Sequence, residues 1–244
     1  MVPKQRLDVL LHERMPERSR QQIQSWIMQG KVRVEGQVVT KAGTQVSAAL
    51  AIEVDSYEPP YVSRAGLKLE KALAHFAIDV TNFTVLDAGL STGGFTDCLL
   101  KHGANKVYGV DVGYGQVHEK IRSDERVVVM ERTNLRELQT VGELVDMVTL
   151  DLSFISILKV IHAVHGLLKP GGILVTLIKP QFEAGREDVG RGGIVRDAAV
   201  HDRVIEQVTQ GICEQGFEYK GVIPSPILGA TGNKEFLACF IRKA

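Results

Sequence analysis

The sequence predicts an α/β fold: a Rossmann-like domain with a mostly parallel sheet, preceded by a small α+β module. Three observations carry this. Beyond residue 83, short apolar strands alternate with helical stretches over ~160 residues, the pattern of a sheet covered on both faces. A glycine-rich turn follows the first of those strands, and charged residues close several later ones. Residues 1–45 hold eight Lys/Arg and four Asp/Glu, a net of +4, whereas the remainder holds 21 and 25, a net of −4. A small basic module is joined to a larger acidic one.

The whole chain of 244 residues is formally neutral, with 29 Lys+Arg against 29 Asp+Glu. Its 44% hydrophobic and 24% charged residues are ordinary for a globular protein and argue against disorder. No apolar run approaches the ~18 residues of a membrane span. The first 20 residues are charged throughout and lack an apolar signal core, so a cytoplasmic protein with no membrane partner is expected. Cys98, Cys213 and Cys239 are scattered, without a Cys-x-x-Cys pair. Neither a disulfide framework nor a metal site is expected from that spacing.

In the small module (1–55), Leu7, Val9, Leu10 and Leu11 suit a short helix that Pro16 ends. Ser19 is placed to cap a second helix from Arg20 to Gln29, with Gly30 as its stop. Ile23, Trp26 and Ile27 give that helix one apolar face. Lys31 to Val39 alternates around Glu35-Gly36, a hairpin signature, and Ala51–Val54 reads as a closing strand. Residues 56–63, with Pro59-Pro60, read as a linker. In the larger module (64–244), a helix over Gly66–Phe76 is followed by strands at Phe83–Ala88, Lys106–Asp111, Arg126–Met130, Val145–Asp151, Ile173–Lys179, Tyr219–Ile223 and Glu235–Ile241. Helices are expected at Phe95–His102, Ile155–Leu167 and Ala198–Gln215.

Ligands of such sheets sit beyond the carboxyl ends of the strands. The first strand runs into Asp87-Ala88-Gly89-Leu90-Ser91-Thr92-Gly93-Gly94-Phe95. Glycines there allow close backbone approach and open a helix whose amides face a ligand. The spacing is neither that of a Gly-x-x-x-x-Gly-Lys phosphate loop nor Gly-x-Gly-x-x-Gly, which disfavours a nicotinamide dehydrogenase. An Asp followed by Gly-x-x-x-Gly-Gly accommodates a nucleoside amino acid, and Asp111, at the end of the second strand, can accept both ribose hydroxyls. Asp151 and Lys179 end the fourth and fifth strands. Taken singly, Lys68 reads as an exposed helical lysine and Glu235 as an edge charge.

These segments together resemble the TlyA (hemolysin A-like) family of ribosomal RNA methyltransferases and, more widely, FtsJ-type 2′-O-methyltransferases. Ser63-Arg64-Ala65-Gly66-Leu67-Lys68-Leu69, Asp87 through Asp97, Val110 through Gln116, Asp151-Leu152-Ser153-Phe154-Ile155-Ser156 and Ile178-Lys179-Pro180-Gln181-Phe182-Glu183 carry the resemblance. The first module is similar to the small RNA-binding domain named after ribosomal protein S-four. Its hairpin carries Glu35-Gly36 where many such domains have Asn-Gly.

The resemblance implies S-adenosyl-L-methionine as cofactor and a catalytic set of Lys68, Asp151, Lys179 and Glu235. Lys179 would serve as base or as an orienting ammonium, and the two carboxylates would position the lysines. Asp87, Gly89, Ser91, Gly93, Gly94 and Phe95 would pass along the methionine end and ribose of the cofactor. Asp111 would take the ribose hydroxyls, and Asn134 would reach the adenine or cap the turn that follows it. No metal is implied. The implied partner is ribosomal RNA or an assembled subunit, modified at a cytidine of the large subunit and in some members also of the small one. The short stretch before Leu7 looks more like the large-subunit members. Arg18, Arg20, Lys31 and Arg33 would form a phosphate-binding face, and Arg64, in the Ser63–Leu69 segment, would add a further contact to RNA. Arg186, Arg191 and Arg196 would sit on a mobile loop (184–197) that orders on RNA. The alternatives are a non-catalytic RNA-binding or ribosome-assembly factor and, from the family's name, a membrane-active hemolysin. The oligomeric state is left open by the sequence.

Overall fold

The structure, a computed structural model, describes residues 4–55 and 59–244. The chain divides into two compact units between Glu58 and Pro59.

The first unit contains β1 (Lys4–Arg6), α1 (Leu7–Arg14), α2 (Arg20–Met28), β2 (Val32–Val34), β3 (Gln37–Val38), β4 (Gln45–Ser47) and β5 (Ile52–Val54). The Ser19 hydroxyl accepts from the Gln22 amide and so caps α2, and Gly30 follows it at φ 73°. Glu35 and Gly36 both take positive φ (49° and 77°), the backbone of a tight hairpin, and β2 pairs antiparallel with β3 and β5. Leu7, Leu10, Leu11, Ile23, Trp26, Ile27, Val32 and Val46 form its core. The pairing of β1 with β4 was not anticipated from the sequence; Lys4-Gln5-Arg6 and Gln45-Val46-Ser47 are mostly polar and lack the Val/Ile content of β2 and β5.

The second unit contains α3 (Ala65–His75), β6 (Thr84–Ala88), α4 (Gly94–Lys101), β7 (Lys106–Val110), α5 (Glu119–Arg122), β8 (Val127–Met130), β9 (Val145–Leu150), α6 (Ile161–Leu167), β10 (Leu168–Ile178), α7 (Pro180–Glu183), α8 (Ala198–Glu214), β11 (Phe217–Pro224) and β12 (Phe236–Arg242). Its seven strands run in the order β11-β12-β10-β9-β6-β7-β8; the five from β10 to β8 are parallel, and β12 is antiparallel to both its neighbours. Strand alternation feeds two cores. Val85, Val107, Met147, Val175 and Leu237 pack under α3 and α4, while Leu86, Val110, Val148, Leu174 and Phe240 pack under α6 and α8.

Two expectations change. The helix foreseen over Ile155–Leu167 is a 3-10 turn (Ile157–Lys159) followed by α6, because the Ser156 hydroxyl and Glu183 carboxylate cap the amides of Leu158 and Ile157. Of the linker foreseen at 56–63, residues 56–58 lie outside the described residues, and 59–63 belong to the second unit. There Tyr61 is buried against Gly66, where a Cβ would lie 2.3 Å from the ring, and its hydroxyl donates to Glu70. The Val62 amide donates to Asp97.

Candidate active site

Strand polarity builds the site. β9 and β10 run side by side, so the residues that follow them, Asp151 and Lys179, leave the sheet together at its carboxyl edge. β12 runs the opposite way with Phe236 facing Ile178, so the residue before it, Glu235, arrives at that same edge. α3 brings Lys68 to it. The Lys68 ammonium lies 2.6 Å from a Glu235 carboxylate oxygen, although the two are 167 residues apart in sequence. The Lys179 ammonium lies 2.7 Å from Asp151 and donates to the Ser153 hydroxyl at 3.0 Å. Both lysines are 8% exposed and Glu235 4%. Burial of these ammoniums is tolerated because each has its own carboxylate.

A cavity of about 370 Å³ opens beside this edge, walled by Gly89, Ser91, Asp111, Gln116, Asn134 and Asp151 among others. A smaller one of about 80 Å³ shares Gly89, Ser91 and Asp151 and reaches Ser63, Gly94 and Phe95. Asp111 accepts the amides of Ser91 and Gly113, each at 2.7 Å, which fixes its carboxylate at the cavity wall. Gly89 takes φ 88°, and a Cβ there would stand 2.5 Å from the Asp151 carbonyl oxygen. The size, the fixed acceptor and the side-chain-free floor fit a nucleoside carrying an amino acid.

Several expected contacts are corrected. Asp87 does not reach the cavity: strand alternation points it under α4, where it is fully buried and accepts the hydroxyls of Thr96 (2.7 Å) and Thr149 (2.9 Å). Gly93 walls neither cavity; it caps α4 at φ 94° and leaves room for Ile121, which a Cβ would meet at 2.9 Å. Asn134 lines the larger cavity and takes the second of its two expected roles: its side chain caps the turn at 135–137, accepting the Arg136 amide and donating to Glu137. In the first unit, Arg20 is exposed and its guanidinium donates twice to the fully buried Asp8, which Arg6 and Gln24 also hold. Arg18 lies over the Trp26 ring at 5.6 Å and beside Glu17. Lys31 is half-buried and Arg33 exposed. The segment 184–197 is not free: Gly190 bridges Ile194, and Asn233 holds Gly193 and Val195, while Arg186, Arg191 and Arg196 stay exposed. Arg64 is exposed at the start of α3.

Phe154 and Asn233 were missed. Phe154 is 90% exposed at φ 65°, lines the larger cavity, and its ring lies 5.0 Å from that of Phe182, over which Lys179 sits. The sequence signal was a large aromatic side chain three residues after Asp151, inside a segment that carries the resemblance. Burial pushes the Glu183 carboxyl up, yet it accepts the Ile157 amide and so anchors this turn.

Fold and site define an S-adenosylmethionine-dependent methyltransferase. The chain belongs to the FtsJ-like methyltransferase family, whose profile matches residues 61–242, and the S4 domain profile matches residues 5–51. It is 45% identical over 240 residues to the 16S/23S rRNA (cytidine-2′-O)-methyltransferase TlyA of Mycobacterium tuberculosis (97% of this chain, 89% of the relative). It is 44% identical over 239 residues to Hemolysin A of Brachyspira hyodysenteriae (97% and 99%). A solved structure from Streptococcus thermophilus, provisionally designated a hemolysin, matches with a TM-score of 0.75 at 41% identity, covering 100% of this chain and 90% of that one. Among the described residues, no helix is long and apolar enough to cross a membrane.

Proposed function

We propose that this protein methylates the ribose 2′-hydroxyl of a cytidine in ribosomal RNA, acting in the cytoplasm on the large subunit or its RNA. The observation that carries the site reading is the pair of buried Lys–carboxylate contacts, Lys68–Glu235 and Lys179–Asp151, on neighbouring strand ends beside the nucleoside-sized cavity. The names of the relatives and the S4 domain support RNA as the substrate.

S-adenosylmethionine supplies an electrophilic methyl group on sulfur. The chain's residues do the rest. Gly89, Ser91, Gly94 and Phe95 bound the amino-acid end of the cavity, and Asp111 takes the ribose hydroxyls. Lys179, held by Asp151 and Ser153, retains one N–H direction for the 2′-oxygen and aligns it with the methyl carbon. As the methyl group would pass to the 2′-oxygen, the hydroxyl proton would go to Lys179 where its amine is neutral, or to water where it stays an ammonium. A rate that rises with pH through one titration, and loses that limb in Lys179→Ala, marks Lys179 as the base; a flat profile marks it as an orienting ammonium. Lys68 and Glu235 hold the ribose from the adjacent strand end. The exposed ring of Phe154 offers a stacking face for the target base once it leaves its helix. Arg64, Arg186, Arg191 and Arg196, together with Lys31 and Arg33 of the small unit, supply phosphate contacts.

The test is transfer of labelled methyl to purified ribosomal subunits, with ribose mapping and Lys179→Ala alongside. Label on a 2′-oxygen, reduced at least a hundredfold in the variant, is expected. Label on a base nitrogen or carbon, or full activity of the variant, overturns the reading.

A further inference from the structure

Asn233 is 1% exposed and belongs to no part of the catalytic set, yet its side chain is fully engaged. Its amide oxygen accepts the Val195 N–H at 3.0 Å, and its amide nitrogen donates to the Gly193 carbonyl at 2.8 Å and the Thr231 hydroxyl at 3.0 Å. Gly193 and Val195 lie within the segment that carries Arg186, Arg191 and Arg196; Arg196 is the next residue after Val195. On its other side, Asn233 is two residues from Glu235. Its carbonyl accepts the Gly229 amide, and Gly229 lies against the Glu235 carboxylate, where a Cβ would stand 2.4 Å from Oε1. One buried amide therefore ties the arginine-bearing segment to the turn that encloses the carboxylate holding Lys68. The Val195 carbonyl is held in turn by the buried His201 ring at 3.0 Å, so the anchored point has little freedom to drift.

We propose that Asn233 is a positioning residue that keeps the arginine-bearing segment 184–197 in register with the Lys68–Glu235 pair, so that RNA gripped by the arginines is presented to the methyl-transfer site. This rests on the site reading above. The arginines fix where phosphates lie, and phosphate contacts set register rather than sequence. A displacement of about 1 Å between a phosphate grip and a reacting oxygen is enough to cost on the order of a hundredfold in rate.

The experiment is steady-state methylation of purified large subunits by the full chain and three changes to it: Asn233→Ala, the triple Arg186→Gln/Arg191→Gln/Arg196→Gln, and their combination. Cofactor affinity is measured calorimetrically in each. Asn233→Ala is expected to lower kcat at least tenfold with unchanged cofactor affinity. The triple change is expected to raise KM for the subunit at least tenfold in the parent but less than threefold in the Asn233→Ala background, because the grip no longer delivers the ribose. Asn233→Ser, uncharged and small, removes the donors to Gly193 without setting a carboxylate against its carbonyl, and it carries the same comparison if Asn233→Ala does not fold. Equal factors in both backgrounds, a kcat within twofold of the parent, or loss of cofactor binding overturns the proposal. Failure of the underlying reading looks different: the unmodified protein then places no methyl on a 2′-oxygen, or Lys179→Ala stays active.

Discussion

Burial pushes the Asp87 carboxyl up to about 6, against the two threonine hydroxyls that accompany it. A carboxyl raised in the folded state binds more protons there than in the unfolded chain between its ordinary 3.8 and about 6. Its contribution is therefore most favourable below 4 and declines as pH climbs through 6, by on the order of 3 kcal/mol. Asp87→Asn should remove that decline: between pH 4 and 6 the variant gains stability relative to the parent, with the difference levelling above 6. Urea unfolding across that range checks it. Phe154 makes the opposite case, a residue whose surroundings weaken the fold at a working position. A bulky side chain at φ 65° stores about 1–3 kcal/mol of backbone strain. Phe154→Gly should raise the melting temperature while lowering kcat/KM for RNA about 5- to 150-fold, the worth of one aromatic–base stack, with cofactor affinity unchanged. A variant that is no more stable and no less active removes the stacking role. At this scale, Asp151 and Lys179 were legible as charges at strand ends, whereas Lys68 and Glu235 stood out only through the resemblance. Which lysine meets which carboxylate was not legible, because the Lys68–Glu235 contact spans 167 residues. Asp87 misled because a motif names a residue but strand alternation decides the face it points to.

Elements were legible where periodicity was long. α2 and the strands from β6 to β9 lie within about one residue of their expected positions, while β10 begins at Leu168 rather than Ile173. β1 and β4 escaped because Lys4-Gln5-Arg6 and Gln45-Val46-Ser47 are mostly polar, whereas the equally short β2 and β5 are rich in Val and Ile. α4 illustrates how an element's first residue matters more than its body. Gly93 caps it in the left-handed region against Ile121. Gly93→Ala should cost about 1–3 kcal/mol and weaken cofactor binding by shifting Gly94 and Phe95, both readable by thermal melting and calorimetry. In the first unit, α1 is pinned through Asp8. The Arg6 guanidinium, then Gln24 and Arg20, hold its carboxyl well below the ordinary 3.8. A depressed carboxylate stabilises above its unfolded value and loses that contribution as pH falls through the folded one. The sole tryptophan, Trp26, sits in this core and reports on it alone. Acid titration followed by its fluorescence should show unfolding of the first unit setting in as pH drops below about 4. Asp8→Asn should flatten that dependence while being less stable at pH 7; an unchanged acid profile would show that Asp8 does not control it.

Across the whole molecule, a formally neutral chain binds a polyanion only by distributing its charge unevenly, and the sequence showed this in its +4 and −4 parts. Affinity for the RNA should fall steeply with salt. Replacing Arg186, Arg191 and Arg196 with Gln should reduce the slope of log affinity against log salt by about 2–3, measured by filter binding; an unchanged slope means those arginines meet no phosphate. The order of the sheet has a separate consequence. β12 hydrogen-bonds to both β10 and β11, so β11 has no partner in the sheet without it. A polypeptide leaves the ribosome amino end first. Until residues 235–242 have emerged, β10 keeps an open edge, β11 waits unpaired, and Lys68 has no Glu235 to meet. A nascent chain still attached near that point holds the cofactor cavity but not the site. The Lys68–Glu235 contact and the pairing of β11 thus form only after residues 235–242 have left the ribosome that makes them.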